Sequence, residues 1–210
     1  MNTSYRSSAR DYLKRAQRLL GEGNFESLFY AAFELRCGIE ARMREYLEIA
    51  EDISEKKKLG WKIAELGNNL EKAFRLGDKI VELIFEDMAS SKICRVYYTP
   101  VSSRLQQRAK GLGDYLHAMK QYRNPEDSWW KSFRLFLDQT CKELADATKG
   151  TLLGPPLMRA DGKGIKTHIE LEVNLATDEV MRAIALNKGN IKMRACYFDE
   201  LPPALNLPNI

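Results

Sequence analysis

The chain has 210 residues, of which 44% are hydrophobic and 30% charged, and its formal net charge is +4. This composition is typical of a globular protein and excludes a disordered or collagen-like chain. No stretch approaches the roughly 20 consecutive apolar residues of a membrane span, and the first residues lack the apolar core of a secretory signal. We therefore expect a cytoplasmic protein without a membrane partner.

The cysteine and histidine content limits the chemistry that the chain can perform. The four cysteines lie far apart without a C-x-x-C pair, so we expect free thiols rather than disulfides or a zinc site. With only two histidines, His117 and His168, a metal site built from several imidazoles is excluded. No glycine pattern typical of a nucleotide-binding loop is present. The sequence thus predicts no metal and no cofactor.

Two helices joined by a short loop are predicted in the first fifty residues. Apolar residues recur at three-and-four spacing in residues 5–20, and residues 21–24 end this first helix. Asn24 is placed to cap the second helix, which is predicted over residues 25–50. The first helix also has a basic face that lies largely off its apolar stripe: Arg6, Arg10, Lys14 and Arg18.

Helical periodicity continues in the middle of the chain. It predicts helices over residues 61–74 and over residues 80–88. Residues 93–99 are β-branched and aromatic, which indicates a short extended segment. A further helix is predicted to begin at Ser102 or Ser103.

The start of the last predicted helix carries the most specific residues of the chain. Asn124 has the side-chain oxygen of an N-cap, and Pro125 suits the first helical position, where no N–H is needed. The two acidic residues that follow place negative charge against the positive end of the helix dipole. Arg123 would then be held just outside the cap, where it either contacts an anion or is solvated.

Two neighbouring tryptophans follow in this helix. Trp129 has helical spacing with later apolar residues, so we expect its ring in the core. Trp130 points elsewhere on the same helix and is the candidate surface anchor for a partner or a nucleic acid.

Beyond residue 150 the pattern changes from helical to extended. Residues 150–164 are rich in glycine and proline, and residues 169–175 alternate between apolar and polar as a half-buried strand does. Residues 181–186 and 191–198 predict two more strands joined by a hairpin turn. Residues 157–160 can add a fourth strand.

The predicted fold class is therefore α+β and mainly α. An up-and-down helical bundle is predicted over residues 1–150, followed over residues 151–210 by a small antiparallel β-meander with a proline-rich tail. A meander of three or four strands cannot bury both faces alone, so it must pack on the helices or on another protein.

Four stretches carry a resemblance to a known family. They are ARDYLKRA in residues 9–16, LFYAAFELR in residues 28–36, GDYL in residues 113–116, and Arg123-Asn124 at the start of the last helix. In these stretches residues 5–149 resemble a HEPN domain. The resemblance implies a bundle of four to five helices, frequently dimeric through the last helices of both copies. It also implies either a metal-independent RNase of prokaryotic defence or toxin–antitoxin systems, or an inactive binding module.

The active signature of that family is an arginine, a polar residue and then a histidine four to six residues after the arginine. Arg123 and Asn124 match its first two positions, but no histidine follows at the required spacing. Metal-free RNA cleavage needs a proton shuttle as well as a cation for the phosphate. The family often places an acidic residue on the second helix near the arginine, and Glu34 or Glu40 matches that position, although ion pairing explains either.

Three functional hypotheses follow. The first is a non-catalytic HEPN-like interaction protein, acting as a homodimer or as a subunit of a heteromeric complex of a defence or toxin–antitoxin type. The second is a metal-independent RNase in which His117 replaces the missing histidine beside Arg123 and Asn124. The third is a non-catalytic RNA-binding subunit that uses the basic face of the first helix. We expect the first, and therefore no enzymatic activity.

Overall fold

The computed structural model describes residues 7–51, 53–117, 123–158, 165–166 and 191–205. These residues form an α+β fold that is mainly α, as predicted. None of the helices in these ranges is long and apolar enough to cross a membrane. The elements in chain order are α1 (Ala9–Glu22), α2 (Phe25–Glu48), α3 (Glu55–Lys58), α4 (Ile63–Phe74), β1 (Ile80–Asp87), β2 (Ile93–Tyr98), α5 (Ser103–Tyr115), α6 (Ser128–Thr148), β3 (Leu157–Met158), β4 (Ile165–Lys166) and β5 (Ile191–Phe198), followed by a 3₁₀ turn at Pro203–Leu205.

The chain divides into two compact units. The first contains Met1–Arg75 and Val101–Thr148, and the second contains Leu76–Pro100 and Lys149–Ile210. The predicted boundary at residue 150 lies next to the junction after Thr148. The prediction did not anticipate that Leu76–Pro100 belongs with the C-terminal residues.

The α1–α2 hairpin forms as predicted, and its ends have local chemical causes. The Asn24 side-chain oxygen accepts the backbone N–H of Ser27 at 2.7 Å, which caps α2. Gly23 follows α1 with φ of 72°, a left-handed conformation that glycine adopts without strain. Local capping and turn contacts therefore favour this hairpin independently of its packing.

Helix α2 is the central helix of the first unit, and Gly38 allows its neighbours to approach closely. A Cβ at this position would lie 2.9 Å from Leu144 Cδ2 in α6 and 3.0 Å from Tyr12 Cβ in α1. The rings of Phe29 and Phe133 lie 5.3 Å apart at the other end of the contact with α6. The later residue of α2 contacts the later residue of α6, so these two helices run parallel. Helix α1 is antiparallel to both.

Two arginines donate to carbonyls at the carboxyl end of α6. The fully buried Arg42 donates from Nε to the carbonyl of Ala147 at 3.0 Å, and Arg10 donates to the carbonyl of Thr148 at 3.1 Å. The Tyr46 hydroxyl also donates to the Ala147 carbonyl, at 3.3 Å. Carbonyls at a helix end have no partner within the helix, so these side chains satisfy groups that burial would otherwise penalise.

Among its described residues, the second unit contains a three-stranded antiparallel sheet in the order β2-β1-β5. In the central strand, Leu83 lies opposite Val96 on one side and Ala195 on the other. The helix predicted over residues 80–88 is wrong, because Ile80–Asp87 is this central strand. Its first six residues are buried on both faces, so its sequence is a nearly continuous apolar run in which helix and strand periods are indistinguishable.

The other strand predictions have mixed outcomes. The extended segment at residues 93–99 is confirmed as β2, and the strand at residues 191–198 is confirmed as β5, but the described partner of β5 is β1. Leu157–Met158 pairs with Ile165–Lys166 as a short hairpin. The strands predicted over residues 169–175 and 181–186 lie outside the described residues.

A buried carboxylate in the central strand is paired through one of its oxygens. Glu82 is 7% exposed, and its Oε1 accepts hydrogen bonds from the Tyr97 hydroxyl at 2.6 Å and from Arg95 at 3.1 Å. Burial, and then the bond to Glu82, raise the pKa of the Tyr97 hydroxyl well above its usual range. These bonds allow a charged residue to occupy the central strand.

Candidate functional site at the start of the last helix

The residues before α6 form a turn, and the side chain that bonds the start of the helix is Asp127 rather than Asn124. The backbone N–H of Asp127 donates to the carbonyl of Asn124 at 3.0 Å, with Pro125 at the second position of the turn. The helix begins at Ser128, and a carboxylate oxygen of Asp127 accepts the N–H of Trp129 at 2.9 Å. The predicted cap at Asn124 is therefore wrong by three residues. Asn-Pro suits the start of a turn as well as the start of a helix, and here the turn forms.

Arg123 has two intramolecular partners. Its guanidinium carbon lies 4.4 Å from the centroid of the Trp129 ring, and its NH1 lies 3.3 Å from a carboxylate oxygen of Asp127. Its side chain is 22% exposed. The cation thus rests on an aromatic face beside a carboxylate that neutralises it, an arrangement that stabilises the start of α6.

Both tryptophans are half-buried and belong to an aromatic cluster. Trp129 lies 5.8 Å from the ring of Tyr115 in α5 and 5.0 Å from Phe133. Trp130, predicted as a surface anchor, stacks on Phe25 at 4.1 Å, and its indole N–H donates to the Asn124 carbonyl at 3.1 Å. Trp130 therefore has partners on both its apolar face and its polar atom.

The histidine proposed to complete an RNase site is not joined to it. His117 is exposed just beyond the end of α5. Among the residues that the structure describes, no hydrogen bond or ion pair connects His117 to Arg123 or Asn124. Asn124 is exposed, and its carbonyl is engaged in the turn. His168 lies outside the described residues.

The acidic candidates of the second helix pair with other cations. Glu34 accepts a hydrogen bond from Arg15 in α1 at 2.8 Å. Glu40 pairs with Arg36 at 2.7 Å and with Arg44 at 3.5 Å. Ion pairing along and between the first two helices thus accounts for both carboxylates.

The basic face predicted on the first helix is partly occupied. Arg10 donates to the Thr148 carbonyl, and Arg18 pairs with Glu22 one turn along α1 at 2.9 Å. Lys14 is exposed. Arg6 lies outside the described residues. Two of the four predicted cations of this face thus have intramolecular partners.

The prediction missed a surface on α2. A pocket of about 270 Å³ opens between α1 and α2, and the residues around it include Tyr12, Cys37, Glu40, Ala41, Arg44 and Glu48. Burial, and then the charges of Glu40 and Glu34, raise the pKa of the Cys37 thiol to about 11, so the thiol is neutral at physiological pH. The pocket depends on the packing of α1 against α2, so no local pattern in the sequence indicated it.

Within the described ranges, no three His, Cys, Asp or Glu side chains are arranged to hold a metal ion. No family model, no curated protein and no solved structure matches this chain. The function is therefore argued from its residues and their geometry.

Proposed function

We propose that this protein is a non-catalytic HEPN-like interaction protein. It acts as a homodimer or as a subunit of a larger complex, of the defence or toxin–antitoxin type that the family resemblance implies. The observation that carries the proposal is the state of Arg123, the one cation of the family signature that this sequence retains.

An arginine that binds the phosphate of a substrate must present its donors to solvent or to a groove. The guanidinium of Arg123 stacks on Trp129, and its NH1 contacts the Asp127 carboxylate. A phosphate that bound to this arginine would meet the negative charge of that carboxylate. Asp127 also accepts a hydrogen bond from the first turn of α6, so its displacement would destabilise the start of that helix as well.

A proton shuttle is also required for RNA cleavage, and the described residues around Arg123 offer none. Its neighbours in the cluster are aromatic rings and a carboxylate already engaged with two donors. The RNase hypothesis would need His117 to approach this cluster. Of the cations that the RNA-binding hypothesis would need, Arg10 bonds to α6 and Arg18 pairs with Glu22.

The proposal is tested by incubating the purified full chain with mixed RNA in EDTA. We expect the RNA to remain intact at every protein concentration, with no difference between wild type, Arg123→Ala and His117→Ala. Arg18→Ala is the matched control for a surface arginine. Cleavage that persists in EDTA and in Arg18→Ala, but is abolished by Arg123→Ala and by His117→Ala, would contradict the proposal and establish the RNase.

A further inference from the structure

The outer side of α2 and the loop that lies on it expose several large apolar side chains. Tyr30 is 64% exposed and Phe33 49% exposed, and both face away from the buried side of the helix. The loop after α3 lies on the same helix, since Arg44 donates to the Gly60 carbonyl, and it leaves Leu59 and Trp61 in solvent. These four side chains expose on the order of 500 Å², a size at which exposed apolar patches are often functional.

The pocket described above lies on the same strip of α2 as Tyr30. Cys37, Ala41, Arg44 and Glu48 follow Tyr30 at spacings close to whole helical turns, so they lie within about 40° of it around the helix axis. Tyr30 and the centre of the pocket are about 18 Å apart along that axis. The strip thus carries a protruding ring at one end and a recess at the other.

A protrusion and a recess on one helix complement each other only in a second copy. If two α2 helices pack antiparallel about a two-fold axis near Cys37, Tyr30 of each copy comes opposite Arg44 of the other. Each ring then enters the partner's recess, where Ala41 leaves room and the Arg44 guanidinium can lie over the ring. Two-fold symmetry forms this contact twice, which is the requirement for a self-complementary interface.

The area agrees with this arrangement. A standard interface buries about 800 Å² on each partner, of which a little over half is apolar. The exposed apolar area of this side of α2, on the order of 500 Å², matches that apolar share. We infer that the protein forms a two-fold dimer in which Tyr30 of each copy fills the pocket between α1 and α2 of the other. This inference rests on the proposed interaction function and names its partner as a second copy of the chain.

Sedimentation velocity of the full chain tests the inference. We expect wild type to sediment at twice the chain mass of 24.1 kDa at micromolar concentration. Tyr30→Ser removes the protruding ring and Ala41→Phe fills the recess, and each should raise the dissociation constant at least about 100-fold, since an aromatic anchor is lost twice. A mixture of the two variants should associate more tightly than either alone, because one intact ring still meets one open recess.

Leu135→Ser is the matched control. Leu135 is 58% exposed on α6, the helix that the family resemblance places at the interface, and its substitution should leave the dimer unchanged. A monomeric wild type at 100 µM would overturn the inference. So would dissociation by Leu135→Ser but not by Tyr30→Ser, or the absence of any gain on mixing. RNA cleavage would defeat the proposed function without affecting this dimer, so the two failures are distinguishable.

Discussion

Arg42 provides the sharpest test of how the helical unit is stabilised. Its side chain is fully buried, donates to the Ala147 carbonyl and to the Glu45 carboxylate at 2.9 Å, and lies 4.4 Å from the centre of the Tyr46 ring. Arg42→Ala removes these bonds and leaves a cavity. Removing one partner of a buried ion pair costs about 3–5 kcal/mol.

The remaining partners place this value at the lower end of that range. The Ala147 carbonyl keeps the Tyr46 hydroxyl as a donor, and the Glu45 carboxylate keeps the N–H of Ala9 at 2.8 Å. The Glu45 side chain is also 26% exposed, so water can reach it. We therefore expect Arg42→Ala to lower the unfolding free energy by about 3 kcal/mol.

Urea unfolding monitored by tryptophan fluorescence measures this change. All three tryptophans lie in the first unit, so the signal reports the unit that contains Arg42. Arg18→Ala is the control, because its guanidinium is 66% exposed and its ion pair contributes at most about 0.5 kcal/mol. Arg42→Met keeps the packing of the stem and separates packing from hydrogen bonding. A loss below about 1 kcal/mol for Arg42→Ala would refute the reasoning.

Two further predictions concern backbone space and pH. A Cβ on Gly150 would lie 2.5 Å from the carbonyl oxygen of Tyr97, and backbone cannot rotate away, so Gly150→Ala should destabilise the second unit by about 1–3 kcal/mol. The control is Gly113→Ala, in a helix with open space at the Cβ position, which should be neutral or stabilising. Hydrogen exchange of the β1–β2 amides should become faster in Gly150→Ala and stay unchanged in Gly113→Ala. Burial raises the pKa of the Cys37 and Cys141 thiols from 9.0 to about 11, so the folded chain retains protons that the unfolded chain releases. The unfolding free energy should therefore fall as pH rises from 9 to 11, and the fall should be smaller in Cys37→Ala. An unfolding free energy that did not change over this pH range would contradict the raised thiol pKa values.

Local chemistry explains which parts of the fold could be predicted. The α1–α2 hairpin was predictable because Asn24 and Gly23 act on their immediate neighbours. The central strand β1 was not, because its backbone partners in β2 and β5 are distant in sequence and its first six residues are buried only in the folded unit. No period in an apolar run distinguishes a buried strand from a helix.

The sequence named residues at the start of α6, but not the contacts that they make. The sequence singled out Arg123, Asn124 and the tryptophans, and these residues do lie together at the start of α6. The sequence could not show that Asp127 would turn back to Arg123, because Asn-Pro allows both a turn and a cap. The pocket on α2 required the packing of α1, which no local pattern encodes.

Whether Arg123 is structural or functional is tested most directly by its effect on stability. A cation stacked on Trp129 and paired with Asp127 contributes about 1 kcal/mol, whereas a cation held ready for a substrate contributes nothing or is destabilising. We expect Arg123→Ala to lower the unfolding free energy of the first unit by about that amount, and Asp127→Ala to remove part of the effect in a double-mutant cycle. An unchanged or increased stability in Arg123→Ala would contradict the claim that this arginine serves the fold.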